Sequence, residues 1–283
     1  MKELFLKNPD GYNLSVKIFE PENAIGKLLI INSATGVKQQ VYFSFAKYMS
    51  QNGFTVITYD YSGIGESKPM KMKNFESSMR TWGTRDFKTL TEFIKKEYPH
   101  EEKFCLGHSV GALILGMNAD SAIFRKFVFV ATQDAYLGNL KLNIAVTAFF
   151  GFGIALPIIT TLLGYFPAHW FGLGETLPKG VAYDWRTLIL HPKSTSRLYE
   201  KNEVDFSKNL TQKTLILHAE DDPWVTQKGM ENLLKNVYPN LLKTFKEIKI
   251  SESDQKEIGH INFFRSFNKK LWKIVLDDLQ EKV

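Results

Sequence analysis

The sequence predicts an α/β chain built on a mostly parallel, doubly wound sheet with helices on both faces. Three observations carry this. Short continuous apolar runs recur at 27–33 (KLLIINS), 54–60 (FTVITYD), 103–107 (KFCLG), 126–132 (KFVFVAT) and 213–219 (KTLILHA), the mark of strands buried on both faces. Segments of helical spacing lie between them, and at ten or more residues these are long enough for right-handed crossovers between parallel strands. The chain of 283 residues, 44% hydrophobic and 23% charged, has the composition of a globular protein with one large core or two small ones.

Taken in order, residues 3–7 and 13–19 alternate like strands around the turn Asn8-Pro9-Asp10-Gly11 and predict an opening hairpin. The strand at 27–33 precedes a helix over 40–51, spaced through Phe43, Phe45, Ala46 and Met49. The strand at 54–60 precedes a helix over 79–98 that Pro99 ends. A third buried strand begins at Lys103, and Ala112 to Gly116 start the next helix. After the strand at 126–132 the alternation stops, and it resumes at 213–219. A helix near 226–238, a strand at 245–251 and a last helix over about 262–281 follow. Residues 1–134 and 206–283 therefore read as a core, and 135–205 as an insertion.

That insertion is unusual, because no Asp, Glu, Lys or Arg occurs from Leu142 to Gly174. The run is long enough to cross a bilayer. Gly151, Gly153 and Pro157 are expected to break it into two shorter helices, and an apolar helical cap over the sheet accounts for it without a membrane. Contact of the cap with a membrane surface stays open as the less favoured reading. An apolar cap implies a substrate with an apolar part, and Phe149 and Phe150 are its candidate contacts.

The net charge of +6 is mild, and the one local basic cluster, SKPMKMK at 67–73, is too short to suggest nucleic acid. It reads as a solvated loop. The single cysteine, Cys105, sits inside an apolar strand and reads as a small buried hydrophobe. With no second cysteine, and with no apolar signal core in MKELFLKNPDG, a cytoplasmic setting is expected. No metal-ligand cluster and no cofactor motif stands out. The segment SGIGES has Gly-x-Gly but opens no helix, unlike a dinucleotide fingerprint.

Chemistry concentrates at Gly107-His108-Ser109-Val110-Gly111. A G-x-S-x-G pattern between a buried strand and an apolar helix forces the serine onto a sharp turn with its side chain displayed. Flanking glycines keep the neighbouring chain clear, and the N–H of Val110 faces a developing oxyanion. A serine nucleophile needs a histidine base oriented by a carboxylate. Of six histidines, His260 lies in a loop between the last strand and the last helix, at the edge where parallel strands gather side chains. His108 neighbours the serine but leaves the turn in another direction, and reads as packing beside the substrate site. The acid is expected at Asp222, directly after the strand at 213–219, with Asp221 and then Asp134 as alternatives. The small-residue loop Asn32–Gly36 offers a second oxyanion donor, Ala34 first and Thr35 next. Thr35 and Trp224 are further candidate substrate contacts.

With these residues assembled, the chain resembles a serine hydrolase of the α/β-hydrolase superfamily, esterase- or lipase-like, over nearly its full length. YDYSGIGESKP (59–69), DDPWV and IGHINFF are similar to that superfamily's loops. INSATGV and GYFPAHWFGLGETLPKGVAYDW resemble a bacterial group of predicted hydrolases. The resemblance implies the α/β-hydrolase fold with a cap, and the roles of nucleophile, acid and base for Ser109, Asp222 and His260. Many relatives carry His-Gly where this chain has Asn32-Ser33, which leaves the shape of the oxyanion loop open. The expected activity is hydrolysis of a small-molecule carboxylic ester with an apolar acyl or alcohol part. A thioesterase or acyltransferase, an aminopeptidase, and a non-catalytic binder of apolar ligands or lipid remain as alternatives.

Overall fold

The computed structural model describes residues 1–202 and 204–281. Its frame is an eight-stranded sheet: β1 (Lys2–Lys7), β2 (Asn13–Phe19), β3 (Lys27–Asn32), β4 (Phe54–Tyr59), β5 (Glu102–His108), β6 (Lys126–Val130), β9 (Lys213–Ala219) and β10 (Leu242–Ile248). The strand order is β1-β2-β4-β3-β5-β6-β9-β10. β1 and β2 form the expected antiparallel hairpin and β2 joins β4 antiparallel, whereas the remaining neighbours are parallel. The apolar runs explain the arrangement. Every residue of β4 is buried, as are all residues of β3 and β5 after the first, because helices cover both faces.

The helices of the core are α1 (Phe43–Gln51), α2 (Met79–Thr81), α3 (Lys88–Glu97), α4 (Val110–Leu113), α9 (Gln227–Asn236) and α10 (Lys273–Gln280). Several depart from the regular elements that spacing suggests. The helix expected over 79–98 starts from a capping box, in which Thr81 N–H donates to Ser78 Oγ at 3.1 Å and Ser78 N–H to Thr81 Oγ1 at 2.8 Å. It then widens into a π turn over Trp82–Phe87 before α3. Gly83 lies at that widening, where a Cβ would stand 2.6 Å from Cβ of Met117. The last helix begins as 3₁₀ turns over Asn262–Phe264 and Ser266–Trp272, and the last strand sits earlier than expected, at Leu242–Ile248.

Between β6 and β9 the chain leaves the sheet. It forms α5 (Leu142–Phe150), α6 (Leu156–Leu163), a two-stranded ribbon of β7 (Tyr165–Phe166) with β8 (Leu177–Pro178), then α7 (Lys179–Leu190) and α8 (Ser194–Asn202). The expected break at Gly151, Gly153 and Pro157 is corrected here, since Leu142–Leu163 is a single helix of 22 residues. A π turn over Gly151–Ala155 carries it through. The wider turn accommodates the proline, which lacks the N–H of a regular helical residue.

Polar ties fasten this layer to the core. Arg80 Nε meets Asp184 Oδ2 at 3.0 Å, Glu175 N–H donates to Gly36 O at 2.8 Å, and Glu175 pairs with Lys68 and Lys38. Tyr199 Oη donates to Leu113 O at 2.5 Å. Asp134 is no partner of the histidine base. Its buried carboxylate accepts the N–H of Thr195 at 3.3 Å, where α8 begins.

Candidate active site

Strand β5 runs straight into α4, and the residue at the corner absorbs the strain. Ser109 has φ 52° and ψ −117°, a conformation that costs an L-residue of order 1–3 kcal/mol and persists only where the surroundings impose it. The surroundings here are two glycines without room for a side chain. A Cβ on Gly107 would lie 2.5 Å from the backbone N of Ala112, and one on Gly111 would overlap the carbonyl of Asn32. Ser109 N–H donates to Val130 O at 2.9 Å and its carbonyl accepts from Ala112 N–H at 3.1 Å. The turn is thereby pinned between β6 and α4.

Two adjacent acids after β9 organise the histidine loop in different ways. Asp221 accepts from the backbone N–H groups of Ile258 (2.9 Å) and Gly259 (2.8 Å), so it holds the loop. Asp222 holds the ring: its Oδ2 stands 2.7 Å from Nδ1 of His260, and its Oδ1 accepts from the N–H groups of Trp224 (2.9 Å) and Val225 (3.3 Å). Burial pushes the Asp222 carboxyl up, but the imidazole and the two amides outweigh it and hold the group below its usual range. With Nδ1 engaged, Nε2 of His260 is the nitrogen left for proton transfer.

The small-residue loop after β3 differs from the expectation. The N–H of Ala34 donates to Tyr42 Oη at 2.9 Å, and that hydroxyl lies 2.8 Å from Nδ1 of His108. Nε2 of His108 is 2.8 Å from the carbonyl oxygen of His260. Ala34 is thus occupied by an internal partner, and Thr35 is the next N–H along the loop. Asn32 accepts from Tyr59 Oη at 2.8 Å and donates to Gly111 O at 3.2 Å, so it ties the loop to the serine corner.

Ser109 and His260 open into one cavity of about 180 Å³. Thr35 and Trp224 line it, as does Val110. The structure does not bring the other substrate candidates there. His108 is fully buried behind His260, because both of its nitrogens are engaged by protein groups. Phe149 and Phe150 lie on the outer side of the cap helix, 50% and 58% exposed. The apolar walls that sequence reasoning missed are Leu113, Trp185, Leu188 and Ile189, joined by Gln133. The spacing Trp185, Leu188, Ile189 on one face of α7 was the available signal, but nothing in it says that the face looks onto Ser109.

One further motif is structural. Asp60, just before the SGIGES segment, accepts from Gln39 N–H (2.8 Å) and Glu66 N–H (3.0 Å), and a Cβ on Gly65 would overlap its carboxylate. Among the described residues, no group of three or more His, Cys, Asp and Glu side chains is placed to hold a metal ion.

An eight-stranded, mostly parallel sheet with a strained serine after its fifth strand, an acid after its penultimate strand and a histidine after its last has the α/β-hydrolase architecture. The chain has the α/β-hydrolase fold, and its sequence and structure are similar to members of that superfamily. A sequence model of the family described as serine aminopeptidase, S33, matches residues 26–132. Rat (Rattus norvegicus) monoglyceride lipase is 27% identical over 109 residues, which are 38% of this chain and 35% of the lipase; the match spans about a third of that relative's length. An esterase from Exiguobacterium antarcticum superposes with a TM-score of 0.62 at 14% identity, covering 99% of this chain and 100% of the other. A bromoperoxidase from Bacillus anthracis gives 0.63 at 17% identity, with the same coverage. At these identities the structural likeness is one of fold.

Proposed function

We propose that the protein is a serine hydrolase that cleaves carboxylic esters of small apolar acyl groups through an acyl-enzyme. The observation that carries this reading is a displayed, strained Ser109 sharing one apolar cavity with His260, whose Nδ1 rests 2.7 Å from the buried Asp222. Ser109 Oγ attacks the acyl carbon while its proton passes to Nε2 of His260. Asp222 holds the imidazole in the right tautomer and stabilises the imidazolium. The tetrahedral oxyanion receives the N–H groups of Val110 and Thr35. Its collapse breaks the ester C–O bond, and the alcohol leaves with the proton from Nε2. Water then repeats the sequence, releasing the carboxylic acid and restoring Ser109.

Size and polarity support the substrate class. A cavity of about 150 Å³ holds a benzene ring, so 180 Å³ suits a short acyl chain or a single ring rather than a long fatty chain. An aminopeptidase needs a carboxylate to receive the free amine of its substrate, and no Asp or Glu is among the residues that line this cavity.

A panel of p-nitrophenyl esters tests the reading. Turnover is expected to peak between acetate and hexanoate and to fall steeply by laurate. Ser109→Ala is expected to lose about 10⁴–10⁶ in kcat and all labelling by a fluorophosphonate probe. Wild-type turnover by the alanine variant would end the proposal.

A further inference from the structure

The helix Leu142–Leu163 is apolar on every side, yet the protein covers only one of them. Its inner line is Ala148, Phe152, Leu156 and Thr160, all buried. Phe152 packs edge-on against Trp185 at 5.0 Å and its carbonyl accepts from Arg186 Nε at 3.0 Å. Its outer line is Leu142, Val146, Phe150, Ile154, Ile158 and Leu162, with exposures from 48% to 80%. A helix apolar all round belongs inside a core or against lipid, and a continuous exposed apolar stripe of this length marks a binding surface.

The surroundings of that stripe are basic. Lys141 stands at its first turn. At its far end the carbonyl of Gly164 accepts from Asn74 N–H at 3.3 Å, which brings the loop of Met70, Lys71 and Lys73 beside it. This is the basic cluster for which the enzyme site has no use. Lys71, Lys73 and Lys141 are exposed and form no ion pair among the described residues, and Met70 is fully exposed. Of the acids near this end, Glu76 lies in a groove with Arg85 and Lys179, and Glu175 is paired with Lys68 and Lys38. Trp170, 64% exposed, and Phe171 follow the helix in the same apolar run.

We infer that this face is a docking surface for an anionic lipid bilayer, with the helix lying in the plane of the interface. Apolar side chains along one line, aromatic residues beyond them and lysines at both ends are what such a helix requires. A second copy of the chain fits less well. Antiparallel pairing would set Lys141 of one copy against Lys71 and Lys73 of the other, and parallel pairing would set like clusters together. A spanning helix would have to tear its inner line away from α7. The loop Trp170–Gly174 has exposed aromatics at one end and lines the cavity with Gly172, Leu173 and Gly174 at the other, so docking would set the cavity beside the lipid. The inference stands independently of the ester reading.

Flotation of the full chain with vesicles tests it. The protein is expected to float with phosphatidylcholine vesicles that contain phosphatidylglycerol, at least tenfold more than with phosphatidylcholine alone, and to be released by high salt or carbonate. Ile158→Glu with Leu162→Glu should abolish flotation while leaving the circular-dichroism melt unchanged. Lys71→Glu with Lys73→Glu should abolish the preference for anionic vesicles. Ser109→Ala should float like wild type, which separates this result from catalysis. Absence of wild-type flotation would overturn the inference. So would equal binding to neutral vesicles, carbonate-resistant association, or a dimer that the Ile158 and Leu162 changes dissociate.

Discussion

The imidazole of His108 donates its Nε2 proton to the backbone carbonyl of His260 across 2.8 Å. A carbonyl only accepts, so Nδ1 must be the bare nitrogen, and it accepts the hydroxyl proton of Tyr42 at 2.8 Å. Tyr42 Oη in turn accepts from Ala34 N–H at 2.9 Å. One polar chain therefore joins the loop after β3 to the loop that carries His260, and every member is satisfied.

Removing its middle link tests its worth. Tyr42→Phe keeps the ring against Phe264, 4.7 Å away, but leaves a buried N–H and a buried ring nitrogen without partners. Each such orphan costs about 1–3 kcal/mol. The urea midpoint is expected to fall accordingly, with less than a tenfold loss of ester turnover, because no group touching substrate is removed. An unchanged midpoint would show that the chain contributes nothing to stability.

The same burial makes His108 a source of acid sensitivity. Burial first, and the charge of His260 second, lower its pKa from 6.5 to about 3. Below about 6.5 the unfolded chain binds a proton that the folded one refuses. Stability from this residue is thus complete above 6.5 and is lost as pH falls towards 3. Asp86 works in the opposite sense: burial raises it to about 6, so its burden on the fold lightens as pH drops through that value. The informative measurement is the difference between wild type and His108→Gln in urea titrations. The advantage of wild type should shrink about tenfold in folding constant per pH unit below 6.5. A pH-independent difference would rule out this titration.

The two acids after β9 are expected to separate cleanly in kinetics. Asp222→Asn leaves a group of similar shape but frees the imidazole to take the wrong tautomer, a change that costs about 10⁴ in kcat in the comparable triad. Asp221→Ala removes two backbone hydrogen bonds from the His260 loop and no direct contact with the ring. Its kcat should fall far less, with a lowered thermal midpoint. Equal losses for both variants would contradict the division of roles drawn from the geometry.

The sheet was legible because burial on both faces leaves an unbroken apolar run, which β3, β4, β5 and β6 all show. The serine corner was legible because steric demands there admit glycine alone on either side. Other features depend on contacts between distant segments. That Ala34 would be engaged by Tyr42 follows from how the 3₁₀ turn Gln39–Tyr42 folds back on the loop, which no local spacing encodes. The helix Leu142–Leu163 looked divisible because two glycines and a proline ordinarily interrupt, and a π turn removed the conflict. Phe149 and Phe150 looked like substrate contacts because apolar residues usually face inward. In this helix Ala148, Phe152, Leu156 and Thr160 hold the inner face, and Phe149 and Phe150 face out.

The walls of the cavity yield the last test. Trp185 and Leu188 project from α7 into the space beside Ser109, and both bound the room for an acyl chain. Leu188→Ala is expected to lengthen the preferred chain, because an extra methylene that clashes with leucine is buried favourably once the space exists. Each methylene accommodated in this way is worth about 1–3 kcal/mol, or 10–200-fold in kcat/KM. Octanoate should therefore gain on butyrate by at least tenfold in the variant. Trp185→Ala removes more volume but also the packing partner of Phe152, so its gain should come with a lower melting temperature. If both variants kept the wild-type ratio of octanoate to butyrate turnover, the acyl group would have to bind elsewhere, and Val37 and Ile261 are among the other apolar walls to probe.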